Sequence, residues 1–271
     1  MKRGLLIYDE AGAKRNEWFI KECILAAAEV GLDLRLKIYR GEGMIYGKKN
    51  PDFVIVRTID LELTRWLDEQ GIRMFNNRQT EIYANDKWQT YQLAKKLGLP
   101  VMPTETGTAA MVSPFGYPAV MKHRKGHGGK QVYLLNSEEE YRRLWEGIAY
   151  YQYVVQPMCS CPGKDMRLYM LGGSVLGAVL RTSETDFRSN YSLGGKVQLV
   201  EAPPETVAIA RTLYNELGFD FVGVDFIEHE GKWVLNEIED VVGSRMLYET
   251  STVDVARTYL NHIAKKLREA E

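Results

Sequence analysis

Three acids in a short stretch of chain have the types and spacing to hold a metal ion. They lie in Phe221-Val-Gly-Val-Asp225-Phe-Ile and Trp233-Val-Leu-Asn-Glu237-Ile-Glu239-Asp240, two apolar runs separated by a turn near His229-Glu230-Gly231. Side chains alternate faces along a strand, so Glu237 and Glu239 point the same way, and an even register around Gly231 puts Asp225 opposite them. Three carboxylates among Val, Phe, Leu and Ile repel one another and lose hydration, and a divalent cation relieves both. Magnesium, held by one or two carboxylates and substrate phosphates, suits these oxygen donors. The bland alternative is a solvated acidic edge. In the other register Glu239 turns away and Asp240 is a solvated acid on the opposite side.

A second feature is cationic. Lys122 ends an apolar strand, where a lysine needs an anionic partner, and Lys125-Gly126-His127-Gly128-Gly129-Lys130 follows. Glycines let backbone N–H groups close over phosphate. The segment is not a P-loop, because Gln131 follows Lys130 and no helix begins there; taken alone it also reads as an ordinary turn. The third feature runs from Arg181 to Gly195, a long polar connection containing Asp186-Phe-Arg188-Ser-Asn190 and Gly194-Gly195. Arg167, Arg181 and Arg188 offer planar forks for phosphate or carboxylate, against the alternative of a surface loop with incidental charge.

These residues need elements to hold them. Residues 1–75 alternate strand (4–8), helix (17–30, closed by Gly31), strand (32–38), strand (53–56), helix (61–69) and strand (72–75), which implies a small parallel sheet. The turn Asp9-Glu10-Ala11-Gly12-Ala13 lacks the glycine spacing of a dinucleotide site, so the shape is Rossmann-like without NAD. Beyond it, Asp86 N-caps a helix over 87–97 and Ser137-Glu-Glu-Glu140 is a capping box. Strands are expected at 117–123, 131–135 and 154–158, a hairpin at 166–180, a helix at 204–217, the acidic hairpin, and a last helix at 253–268. With 45% apolar residues the chain can bury a core, and 35 Lys plus Arg against 36 Asp plus Glu argue against a general nucleic-acid binder. Three cysteines, two in Cys159-Ser-Cys161, form neither a disulfide framework nor a zinc spacing. No apolar run spans a bilayer, and the reading is a soluble, cytoplasmic protein.

In order along the chain, Asp86-Lys87, Val120-Met121-Lys122, the Gly-rich loop, Val155-Gln156, Asp165-Met-Arg167, the Asp186–Asn190 run with its Gly-Gly pair, Gly223-Val-Asp225 and Asn236-Glu237-Ile-Glu239 resemble the ATP-grasp superfamily, and within it the RimK-like ligases that add amino acids to carboxylates. The resemblance spans nearly the whole chain and implies an α/β (α+β) ATP-grasp fold. Its parts would be a Rossmann-like pre-domain (1–75), a small subdomain with connecting helices and lid (76–158) and a large subdomain (159–271). It implies that Lys87 and Lys122 hold ATP phosphates under a lid carrying Gly126, Gly128 and Gly129. Gln156, Pro157 and Met158 would border adenine, Asp165 the ribose, and Arg181 the phosphate side. Asp225, Glu237 and Glu239 would hold one or two magnesium ions, with manganese as a substitute. Arg167, Arg188 and Asn190 would face the carboxylate or its acyl-phosphate.

Two positions depart from the family's habit: Pro157 where Glu is common, and Glu239 where Asn is common. The implied activity is ADP-forming amide synthesis through an acyl-phosphate, with an amino acid such as glutamate added to a peptide, protein or small metabolite. The partners are ATP, a carboxylate-bearing acceptor and an amine, with no nucleic acid or membrane and a homo-oligomer left open. A non-catalytic ATP binder and an ATP-grasp kinase are the rival readings. His127, in the lid, is read as a solvent-facing loop histidine rather than a proton shuttle.

Overall fold

The computed structural model describes residues 1–41, 50–107, 112–189, 191 and 194–270. A first, parallel sheet has the order β2-β1-β3-β4, from β1 (Lys2–Asp9), β2 (Leu32–Tyr39), β3 (Phe53–Val56) and β4 (Arg73–Phe75). Helix α1 (Glu10–Arg15) starts where the sequence suggested only a turn: the Asp9 side chain accepts from Gly12 N and caps it. Helix α2 (Glu17–Glu29) buries Phe19, Ile20, Cys23, Ala26 and Ala27, the i, i+4, i+7 stripe of one helix face. Helix α3 (Leu61–Glu69) is capped by Asp60 and buries Leu63 and Leu67. β2 keeps its expected alternation only as far as Leu34; Leu36 is exposed, because β2 lies at the sheet's edge.

Two helices follow, α4 (Arg78–Ala84), which the sequence did not announce, and α5 (Lys87–Lys96), capped by Asp86 as expected. Both pack on the last sheet rather than the next one, with Ala84, Leu93 and Ala94 in its core. The small antiparallel sheet has the order β5-β8-β6-β7, from β5 (Glu105–Thr106), β6 (Ala119–His123), β7 (Val132–Leu135) and β8 (Tyr153–Pro157). Helix α6 (Glu138–Trp145), capped by Ser137, covers it with Tyr141 and Trp145.

The large sheet has the order β11-β10-β9-β12-β13 and is antiparallel throughout. Its strands are β9 (Lys164–Leu171), β10 (Ser174–Thr182), β11 (Lys196–Val200), β12 (Phe221–His229) and β13 (Lys232–Glu239). One face carries Met166, Leu168, Val222, Val224, Phe226 and Ile238 under helix α7 (Pro204–Leu217). The opposite face is divided. At one end Tyr169, Leu171, Val179 and Phe221 join a core with α2 and the last helix, α9 (Val255–Glu269), while helix α8 (Arg245–Thr250) adds Met246 and Leu247. At the other end stand Asp165, Arg167, Arg181, Asp225, Glu237 and Glu239, all charged and all at the same strand parity once one irregularity in β13 is counted.

Candidate active site

The register of the β12–β13 hairpin decides which acids share a face. Glu230 and Gly231 both have positive φ, 51° and 74°, the signature of a two-residue turn that pairs His229 with Lys232. Counting back, that pairing would set Asn236 opposite Asp225 and turn Glu237 into the apolar core. A bulge intervenes: Phe226 pairs Leu235, but Asp225 pairs Glu237 and Gly223 pairs Glu239. The expected face is therefore reached by an extra residue in the strand, not by the turn. Asn236, the extra residue, stands on the cleft wall beside Glu237.

The three carboxylates do not crowd around one point as the sequence led us to expect. Asp225 is buried and bidentate with Arg167, at 2.7 Å for both bonds, and takes a further bond of 2.8 Å from Arg181. Burial would raise its pKa, but the two guanidinium groups overrule it and hold the carboxyl well below the usual range. Glu239 pairs with Arg167 at 2.5 Å, yet burial outweighs that cation and its pKa rises. Glu237 pairs with Lys87 at 2.9 Å, which brings its pKa down against the effect of burial. The protein supplies its own counter-charges, so repulsion alone does not call for a metal. Among the described residues no three His, Cys, Asp or Glu side chains are grouped to hold one. The donor set still fits a hard divalent ion in kind: Glu237 and Glu239 keep side chains 26% and 23% exposed, and magnesium needs only one or two carboxylates when phosphates complete its shell.

A cleft separates this face from the small sheet. On β6, Val120 and Lys122 face it while Ala119 and Met121 go to the core, the alternation that brings Lys122 to the wall. The expected partner for Lys122 is not an acid: Nζ donates to Asn236 Oδ1 at 3.0 Å, reaching across the cleft. Burial lowers its pKa to about 8, with Glu237 opposing and Lys87 adding to the shift. Lys87, on the first turn of α5, donates to Gly126 O at 2.7 Å as well as to Glu237, so it ties the loop to the large sheet. Gly126, Gly128 and Gly129 line the cleft, and Arg188 donates to Gly129 O at 2.9 Å while chelating Asp186. The loop is thus pinned down at two points, over a cavity of only about 100 Å³.

At the far end Gln156, Pro157 and Met158 form a wall with Val120 and Ile227, and the Gln156 amide is spent on Thr104 Oγ1 at 2.9 Å. Pro157 offers a ligand there neither a backbone N–H nor a polar side chain. Asp165 and Arg181 are paired and buried on the same cleft. Arg167 lies beneath, tied to Asp225 and Glu239, and does not line the cavity. Asn190 lies outside the described residues. His127 is exposed, as expected, but it borders a second cavity together with Glu239 and Asn85. Asp240 is not a solvated acid: it is buried, accepts from Asn76 and Asn85, and has its pKa raised to about 6 by burial. Strand alternation alone gives Asn236 no role beside Glu237, so the sequence does not single it out.

Two sheets enclose a cleft in which Lys122 of one meets Asn236 of the other and Lys87 meets Glu237. The chain belongs to the RimK-like ATP-grasp family, whose domain matches residues 84–263, and this is a family of ATP-dependent ligases. It is 31% identical to human N-acetylaspartylglutamate synthase A over 76% of this chain and 58% of that one. It is 23% identical to the uncharacterized protein MG011 of Mycoplasma genitalium, over 98% of this chain and 96% of that one. The crystal structure of D-cycloserine synthetase DcsG superposes with a TM-score of 0.74 at 17% identity, covering 98% and 99% of the two chains, a likeness of fold. The chain thus spans less than two thirds of the human synthase.

Proposed function

We propose that the chain uses ATP to activate a carboxylate and joins it to an amine. The observation that carries this reading is that Lys122, reaching across the cleft to Asn236, and Lys87, paired with Glu237 beside it, bring two cations to one end of a narrow cavity. A polyphosphate chain is the ligand such an arrangement suits, with adenine toward Gln156–Met158 and ribose toward Asp165. Glu237 and Glu239 would hold magnesium, which neutralises phosphate charge when bound; Asp225 orients Arg167 and Arg181 on the same face. The cavity is smaller than a nucleotide requires, so Lys87 and Arg188 must release the glycine loop before ATP enters.

In the reaction, a carboxylate oxygen of the substrate attacks the γ-phosphorus and the bond to ADP breaks, giving an acyl-phosphate. The amine then adds to the carbonyl carbon, gives up a proton, and inorganic phosphate leaves. Lys87, Lys122 and Arg181 stabilise the charge at phosphorus, while Arg188, with Asn190, serves the acyl group and Arg167 holds Asp225 and Glu239 in place beneath it. The division into 1–75, 76–158 and 159–271 gives each sheet to its own part, with the cleft lined by the last two. Glutamate as the amine is supported by the human relative's name, and the longer chain of that relative leaves the acid open.

The test is interception. With ATP, magnesium, a candidate acid and hydroxylamine, a hydroxamate is expected with one ADP and one phosphate released for each. Release of AMP and pyrophosphate would instead indicate adenylation, and a phosphorylated product with no amide would indicate a kinase.

A further inference from the structure

The second cavity holds a charge that the reaction above does not use. It has a volume of about 440 Å³ and lies between the first sheet and the large one, with Tyr8, Asp9, Arg15 and Arg57 on one wall and Glu239 and Gly243 on the other. It meets the nucleotide cleft at its phosphate end: His127 follows Gly126 in the loop, and Glu239 follows Glu237 on the same strand face. A neighbouring cavity of about 250 Å³ shares Arg15, Asn16 and Arg57 and adds Trp18, Tyr248 and Arg245.

Arg57 stands at the junction and is only 7% exposed. Its Nη2 donates to Val242 O at 2.6 Å and its Nε approaches the Tyr8 hydroxyl at 3.4 Å, and among the described residues it makes no ion pair. A buried guanidinium is ordinarily matched to an acid, because the charge loses its hydration. The acids nearby are hydrogen-bonded elsewhere: Asp9 caps α1 and accepts from Thr58, Glu239 is held by Arg167, and Asp240, which feels the Arg57 charge, accepts from Asn76 and Asn85. Arg15, the other cation of the wall, has an exposed side chain with no ion pair among the described residues. Arg57 is therefore a buried cation that lines the cavity without an ion pair among the described residues, a five-donor group held by Val242 O on one edge.

We propose that this cavity is the co-substrate site and that Arg57 recognises a carboxylate other than the one being activated. The ligand class is a dicarboxylate, entering either as the acid or as an amino acid such as glutamate, and the placement rests on the ligase reading of the adjoining cleft. A planar fork already anchored to Val242 O can present its free edge to two carboxylate oxygens, which a carboxamide cannot match.

The experiment is calorimetric titration of protein loaded with magnesium and a non-hydrolysable ATP analogue. The probes are L-glutamate against L-glutamine and L-isoglutamine, and N-acetyl-L-aspartate against its two monoamides, so the two arms separate an amine source from an acid source. Wild type should bind at least one dicarboxylate about ten- to hundred-fold tighter than its monoamide. Arg57→Gln should abolish that preference while nucleotide affinity stays the same. Arg57→Lys keeps the charge beside Val242 O and should lose at least about five-fold of the preference, since one ammonium cannot serve both Val242 O and two ligand oxygens. A merely structural arginine would move nucleotide and all probes together. Preference retained in both variants, or no dicarboxylate bound by wild type, overturns the proposal. If the preference depends on Arg57 but no acid yields a hydroxamate, the ligase reading fails and the subsite stands. If hydroxamate yield and preference are both unchanged in Arg57→Gln, the subsite fails and the ligase reading stands.

Discussion

At the scale of single residues, the site works by neutralising each charge with a partner that a substrate can replace. Lys122 shows this best, because its acceptor is an amide oxygen and burial has already weakened its hold on the proton. With a pKa near 8 it is a cation below that pH and neutral above it, and polyphosphate prefers the cation. Nucleotide affinity should therefore be flat up to about pH 7.5 and fall above about pH 8, by at most about ten-fold per unit, as binding comes to require proton uptake. Lys122→Arg should remove the slope, because guanidinium stays charged throughout. Lys122→Ala should weaken ATP binding about ten- to hundred-fold with little change in melting temperature. Titrations across that pH range check all three, and unaltered affinity in a folded Lys122→Ala protein would take the residue out of the site.

At the scale of elements, the large sheet places Arg167 by close packing. A Cβ at Gly223 would lie 2.8 Å from Val242 Cγ2 and 3.1 Å from Arg167 Cδ, so glycine is what lets that side chain lie flat across β12 toward Asp225 and Glu239. Gly223→Ala should cost about 1–3 kcal/mol of stability from overpacking, and should displace the guanidinium. Turnover is expected to fall by at least about ten-fold while ATP affinity changes little, since Arg167 lies beneath the cleft and off its wall. Denaturant melts with steady-state kinetics test this, and wild-type turnover would mean that the Arg167 network is dispensable.

At the scale of the whole molecule, the helix between the first sheet and the rest is fastened by a buried acid. Glu81 on α4 accepts from Asp60 N at 2.8 Å and from the Thr64 hydroxyl, and burial raises its pKa to about 7 from 4.5. A carboxyl whose folded pKa is raised binds its proton more tightly when folded. Its stabilisation is complete below about pH 4.5, is lost as pH rises to about 7, and is constant beyond. The difference is about 3 kcal/mol. Glu81→Gln should lack this slope, so the gap between its melting temperature and that of wild type should change between about pH 5 and pH 7.5 and then hold constant. A gap independent of pH would mean that Glu81 is ionised when folded.

The local signals were strong where chemistry is local. Asp86 and Ser137 cap the helices expected of them, Phe53–Val56 and Pro204–Leu217 keep their bounds, and the glycine loop reaches one cleft with Lys87 and Lys122. Each of these depends on a few neighbouring residues, so the chain states it outright. Tertiary structure decided what depends on partners distant in sequence. The β13 bulge at Asn236 is set by two facing strands and not by the turn that joins them. Arg167 and Arg181 come from neighbouring strands to take the Asp225 carboxylate, a pairing that no spacing in the sequence announces. Arg57 sits in the first sheet's unit and its bond to Val242 O spans 185 residues. No spacing in the sequence could show that a guanidinium would be buried there without an ion pair among the described residues, because burial and pairing are properties of the packed surfaces and not of either segment alone.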